Sequence, residues 1–212
     1  MCKKRTAKPI ELNFNEFISV PHGFVTPPRI APWPKGYKEI KDALDSAIHM
    51  ASQIELVDEG VSTSRPDKVR PAYFRASLTE LSRIDDIAKS AGKPRLFLDS
   101  TDPSLHAVKL LRNYQIHIAA MPLSSGQVSV RLSGEEFVYR SFIADNILVE
   151  NLKKLDSARP YTDNQLNELV SLFNERQKRF GVVQLLYHLA KHIEAYARRS
   201  LVSSKRSPSG MK

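Results

Sequence analysis

Arg112, Asn113 and His117 lie close together in the stretch "RNYQIH", and their side chains suit one reaction. Arginine carries a planar, permanently charged fork that holds phosphate oxygens. Histidine moves a proton near neutral pH. RNA cleavage through its own 2′-OH needs both: a base to take the hydroxyl proton, an acid to protonate the departing 5′-oxygen, and a cation on the crowded phosphorane. None of those steps requires a metal. On a helix, Arg112 and His117 point about 140° apart and can border a groove along one flank, whereas Asn113 and His117, four apart, share a line. Asn113 would orient the site or the scissile phosphate. Tyr114 is a further candidate whose other reading is a core-facing tyrosine. The plainer reading of the stretch puts Arg112 on a solvated face and His117 against a neighbour at the helix end.

Other groupings carry less chemistry. His188 and His192 are four apart, a spacing that can ligate a metal, yet no glutamate lies between them as in a zinc protease and no third ligand is apparent. Arg176, Lys178, Arg179 and Lys191, with Arg198 and Arg199, could grip phosphates or form a solvated face. Glu135 and Glu136 alternate faces of a strand and read as surface charge. Trp33 and Tyr37 read as anchors for the preceding arm. The chain lacks a phosphate-cradling glycine loop, a Cys/His metal pattern and a nucleophile elbow.

Helical periodicity must position the arginine and histidine. Asp102 is a good N-cap and Pro103 a favoured first-turn residue, and Leu105, Val108, Leu111 and Ile118 form an apolar stripe. Two amphipathic helices precede it. One carries Ile40, Leu44, Ala47, Ile48, Ala51 and Ile54 and ends near Gly60; the other carries Phe74, Leu78, Leu81, Ile84 and Ala88, with Gly92 as C-cap. Residues 60–70 between them read as a polar loop. Ahead of both, residues 1–34 form an extended arm, with five prolines from Pro21 to Pro34.

After the third helix the period changes to two. "QVSVRL" and "EEFVYRSF" flank Ser133-Gly134, predicting a β-hairpin over roughly 127–142. A short helix is expected near 145–156. Thr162 and Gln165 then make a capping box, opening a helix whose apolar register runs from Leu166 to Tyr196 and survives Gly181, as one helix or two nearly collinear ones. Residues 202–212 read as a disordered basic tail.

Composition bounds the function. The chain has 212 residues and a formal charge of +9, enough length for one domain with tails and a charge that favours phosphate backbones or acidic surfaces. Apolar runs are far too short to span a bilayer, the basic N-terminus has no apolar segment behind it, and the one cysteine, Cys2, permits no internal disulfide. A reducing cytoplasm is the default expectation.

The "RNYQIH" stretch resembles the signature of the HEPN superfamily, an arginine and a histidine separated by four to six residues with a polar residue directly after the arginine. Arg112, Asn113 and His117 match those positions. The resemblance implies an all-α, antiparallel helical bundle over 35–201, in which the hairpin at 127–142 is an insertion. It further implies a metal-independent endoribonuclease with no cofactor, of toxin–antitoxin or phage-defence type, acting on RNA as a homodimer and held in some cases by an antitoxin or defence partner. Many members carry an upstream acid that orients the arginine; Glu55, Asp58, Glu80 and Asp85 are candidates here. Non-catalytic members serve as dimerisation or RNA-binding modules, and that alternative remains open.

Overall fold

The computed structural model describes residues 10–57, 65–93, 95–132, 134–145 and 147–202. Four helices dominate it: α1 (Lys38–Leu56), α2 (Pro66–Ser90), α3 (Pro103–His117) and α5 (Asp163–Leu201). Between α3 and α5 stand an antiparallel hairpin, β1 (Leu123–Leu132) and β2 (Glu135–Ala144), and a single-turn helix, α4 (Val149–Leu152). The chain is thus mostly helical with one two-stranded sheet. Among the described residues, no helix is long and apolar enough to cross a membrane.

The apolar stripes read from the sequence are the buried faces. Ile40, Leu44, Ala47, Ile48, Ala51 and Ile54 of α1 meet Phe74, Leu78, Leu81 and Ile84 of α2 in one core with Leu105, Val108 and Leu111 of α3 and the apolar face of α5. Such 3.6-residue spacing produces a continuous hydrophobic ridge, and burying ridges against one another is what makes the helices stable. The hydroxyl of Ser77 on α2 donates to the Ala47 carbonyl of α1 (2.9 Å), so that a polar group inside this contact is satisfied.

Local signals fix most boundaries. Asp102 caps α3 by accepting the Ser104 N–H (2.9 Å), and Pro103 occupies the first turn, where its missing N–H costs nothing. Thr162 and Gln165 form the reciprocal capping box that opens α5. Leu132 pairs with Glu135, leaving two residues at the hairpin tip, where Gly134 has φ +92°.

Several boundaries differ from expectation. Helix α2 begins at Pro66, so residues 66–70 are helix rather than polar loop, and Pro71 lies within the helix. Pro66 supplies the N1 proline that the sequence reading assigned to a loop, and Pro71 forfeits one early hydrogen bond without ending the helix. The hairpin extends past 127–142 to Leu123 and Ala144. The short helix expected at 145–156 contracts to α4 plus a 3₁₀ turn at Asp156–Ala158. Helix α1 stops at Leu56, with Val57 extended, short of the stop expected near Gly60, which itself lies outside the described residues, as do residues 1–9 of the arm and 203–212 of the tail.

From residue 10 the arm is extended apart from 3₁₀ turns at Phe14–Glu16 and Lys35–Tyr37, and it buries Phe17, Ile18, Val20 and Ile30. Helix α5 holds it. The Gln184 amide accepts from the Phe24 N–H (2.7 Å) and donates to the Phe24 carbonyl (3.3 Å). Gln177 does the same to both backbone groups of Ala144 (2.8 Å each), seating the end of β2. In each case a side-chain amide stands in for a neighbouring strand, satisfying a backbone pair that would otherwise be buried alone.

Helix α5 breaks at Gly181, with φ +86° and ψ 168°. The freed Phe180 carbonyl accepts the hydroxyls of Tyr139 (3.2 Å) and Ser141 (3.3 Å) from β2. This backbone region is open essentially to glycine alone. A Cβ at Gly181 would also lie 1.6 Å from Ser141 Oγ and 3.2 Å from the Phe142 carbonyl. Gly181→Ala is therefore expected to destabilise the fold by about 2–4 kcal/mol, read as a lowered urea midpoint. A wild-type midpoint in that variant would contradict the described break.

Candidate functional site

Helix α3 is buried on most of its circumference: ten of its 15 residues are interior. The five that are not are Lys109, Arg112, Asn113, Ile116 and His117. At 100° per residue these five fall within a stripe about 140° wide, with Arg112 at one edge and His117 at the other. All three residues of the sequence motif thus share the open face of an otherwise enclosed helix.

Three sets of contacts fix that face. At the N-terminal end, the second carboxylate oxygen of Asp102 receives the His192 Nε2–H from α5. Midway, the Lys109 ammonium meets the buried Asp85 carboxylate (2.8 Å), whose other oxygen accepts the Phe97 N–H (3.0 Å). Near the C-terminal end, the segment carrying α4 leans on the helix. Asn151 donates to the buried Tyr114 hydroxyl (3.4 Å), and the Asn113 amide donates to Ser157 Oγ (3.0 Å) while its oxygen accepts from Arg112 Nη1 (3.0 Å).

Each motif side chain has its own surroundings. Arg112 is half-buried, and its Nε has no hydrogen-bond partner among the described residues. His117 is exposed in the last turn. Tyr114 is core-facing. Among the described acids considered as orienters of the arginine, none bonds it: Asp85 is engaged by Lys109 and Phe97, Glu80 pairs with Arg83 (3.1 Å), and Glu55 stands in a separate cavity. Asp58 lies outside the described residues. The group that touches Arg112 is its sequence neighbour Asn113.

The basic residues of α5 divide into two sets. Arg176 donates to the Ile18 carbonyl (2.9 Å), and Lys191 donates to that of Arg29 (3.1 Å) and to Glu194. Arg198 donates to the Ala31 and Pro32 carbonyls and lies 4.4 Å over the Trp33 ring. These cations hold the arm. Lys178 and Arg179 reach solvent. Trp33 and Tyr37 are anchors, as read: the Tyr37 hydroxyl donates to the Leu201 carbonyl (2.9 Å). His188 and His192 do not converge, since His188 Nε2–H donates to the His22 carbonyl (2.8 Å) while His192 turns to Asp102. Among the described residues, no group of three His, Cys, Asp or Glu side chains could hold a metal ion.

Sequence reasoning missed His106, which lies wholly inside α3's packing. Its Nε2 meets the Ser100 carbonyl (2.8 Å), which can only accept, so Nε2 carries the proton and Nδ1 accepts from the Tyr161 hydroxyl (2.6 Å). An apolar-looking first turn gave no signal for this pairing, because Tyr161 is distant in sequence.

No family model, no curated protein and no solved structure matches the chain.

Two titrations follow from these contacts. Burial pushes the His106 imidazole below its ordinary value near 6.5. Burial alone would raise the Asp102 carboxyl, but hydrogen bonding and charge from His192, with the Ser104 N–H, hold it below the usual carboxylate range. Both folded values are depressed, so both contributions are complete above the unfolded values and are lost as pH falls through the folded ones. The urea midpoint is expected to decline from about pH 6.5 downward as His106 charges, with Asp102 adding to the loss in stronger acid. His106→Gln should flatten the decline in the histidine range; an unchanged profile would refute the neutral, buried assignment.

Proposed function

We propose that the chain is a metal-independent endoribonuclease of HEPN type that cleaves RNA through its 2′-OH. The observation that carries this reading is the single open stripe of α3, which holds Arg112, Asn113 and His117 together while the rest of the helix is enclosed. That stripe places a cation, an amide and an imidazole, the groups the cleavage needs, on one accessible face of the helix. Four principal helices with a hairpin between the third and the last agree with a HEPN-like bundle bearing an insertion.

In this mechanism His117 takes the 2′-OH proton or delivers one to the leaving 5′-oxygen. Arg112 meets the negative charge that grows on the phosphorane oxygens, where a preorganised cation is worth most. Asn113, held by Ser157, keeps the arginine aimed. One chain, however, offers one imidazole to a reaction that needs both an acid and a base. A two-fold dimer pairing the C-terminal halves of α3 supplies two of each around one cleft, and two-fold pairing is the commonest homo-oligomer.

Ile116 supports that assembly. It lies between Arg112 and His117 on the stripe, is 44% exposed, and borders a shallow notch lined by Met50, Ala72 and Ala76 together with the polar Arg75, Thr79 and Glu80 of α1 and α2. A second copy packed on Ile116 would bring both edges of the stripe to the seam between the chains. The toxin–antitoxin or phage-defence setting, with its antitoxin or defence partner and a cytoplasmic site of action, is carried by the family resemblance alone.

Purified protein is expected to cleave unstructured RNA in EDTA, with His117→Ala and Arg112→Ala each losing about 100-fold or more in rate. Intact RNA across several substrates would refute the nuclease reading. RNA affinity that falls steeply with salt and survives the Arg112→Ala, His117→Ala double variant, without cleavage by wild type, would identify a non-catalytic binding module instead. Light scattering at micromolar concentration should give a dimer that Ile116→Arg converts to monomer. A wild-type monomer would refute the shared cleft.

A further inference from the structure

Away from the α3 stripe, the arm, the end of α1, the hairpin and the stretch of α5 around its break border a half-open cavity of about 620 Å³. That volume lies within the range that takes small-molecule ligands. Phe24, Phe137, Tyr139 and Phe180 supply its aromatic walls. Phe137 is 49% exposed, so it presents ring surface to solvent. Two polar groups of the lining are already used: Gln184 is committed to Phe24, and the Tyr139 hydroxyl to the Phe180 carbonyl.

Two charged side chains lining the cavity are not used in this way. Glu55 makes no hydrogen bond or ion pair among the described residues, and the surrounding walls withdraw enough water to push its carboxyl above the ordinary value although solvent still reaches it. Arg179 has no acidic partner among the described residues, and its guanidinium lies 5.2 Å over the Phe180 ring. A carboxylate and a guanidinium, neither paired among the described residues, thus share one pocket with aromatic faces.

We propose that this cavity binds a guanine nucleotide, with the base against the aromatic walls, its Watson–Crick edge on Glu55 and its phosphate on Arg179. The argument for guanine is the donor pattern. A carboxylate presents two acceptors and no donor. Guanine alone among the four RNA bases sets two donors side by side, N1–H and the exocyclic amine. Adenine and cytosine place a ring-nitrogen acceptor beside their amine, which repels a carboxylate, and uracil flanks its one N–H with two carbonyls. Aromatic faces stack any base, so they provide affinity without choosing, and the guanidinium fork suits phosphate oxygens.

The guanine nucleotide can be free or a residue of an RNA strand, and the binding chemistry is common to both. This inference stands apart from the nuclease reading, because neither Arg112 nor His117 contributes to the cavity.

Calorimetric titration of the full chain with GMP, AMP, CMP and UMP tests it. GMP is expected to bind at least about tenfold more tightly than the other three, the discrimination typical of one bidentate edge contact. Glu55→Gln should remove that preference, and Arg179→Ala should weaken GMP while leaving guanosine unchanged. Both side chains reach solvent, so neither substitution disturbs the core. Titrating the Arg112→Ala, His117→Ala double variant with the trinucleotides UGU and UUU identifies the source. UGU at least as tight as GMP, with UUU weak, assigns a strand residue; GMP binding with UGU excluded assigns the free nucleotide. Equal affinity for all four nucleotides, no binding of any, or a GMP affinity unaffected by Glu55→Gln would overturn the proposal. GMP binding that persists in the double variant, beside RNA left intact by wild type, would retain this site while rejecting the nuclease.

Discussion

The carboxylate of Asp102 has two oxygens, and the fold spends each on a different element. One takes the Ser104 N–H and starts α3; the other takes His192 and ties that start to α5. The Asp102 carboxylate is itself buried, while His192 on the α5 side is only partly so. A 15-residue helix is about 22 Å long, so a tilt of about 10° at its start moves its far end by about 4 Å. That displacement exceeds the tolerance of hydrogen-bonding chemistry on a phosphate. Lys109 on Asp85 and Asn113 on Ser157 then fix the rotation about the axis. The motif's geometry is thus set largely by residues outside it.

Much of this was legible in the sequence where the determinants are local. Asp102-Pro103, the Thr162 and Gln165 box, and the period change at the hairpin act within a few residues, and each marks the element it predicts. The open stripe of α3 was legible too, since Arg112, Asn113 and His117 interrupt its apolar pattern. What could not be read depends on partners far away along the chain. Gln177 and Gln184 look like ordinary polar helix residues, and only the folded arm and hairpin turn their amides into strand substitutes. The basic residues of α5 looked like one cationic face, whereas Arg176, Lys191 and Arg198 are committed to arm carbonyls. Pro66 and Pro71 show the limit of proline as punctuation, one starting α2 and the other tolerated inside it.

Gly181 links the two surfaces on which function is proposed. By breaking α5 it frees the Phe180 carbonyl for the hairpin, and with the arm this shapes the aromatic cavity. The N-terminal half of α5, continuous up to that break, packs Leu169, Val170 and Phe173 against Leu110 and Leu111 on the inner side of α3. The same helix therefore backs the α3 stripe with its first half and walls the cavity where it breaks. The cations of α5 are divided between arm-holding contacts and solvent-facing side chains.

The central claim is that one active cleft is built from two chains. Subunit mixing tests it most directly. Wild-type protein and the Arg112→Ala, His117→Ala double variant are mixed under conditions in which light scattering and differential tagging establish exchange, and RNA cleavage is followed in EDTA. The account predicts that an excess of the double variant suppresses wild-type cleavage, because a mixed cleft holds one imidazole where the reaction needs two. Cleavage that stays proportional to the wild-type chains present, with exchange complete, would contradict it.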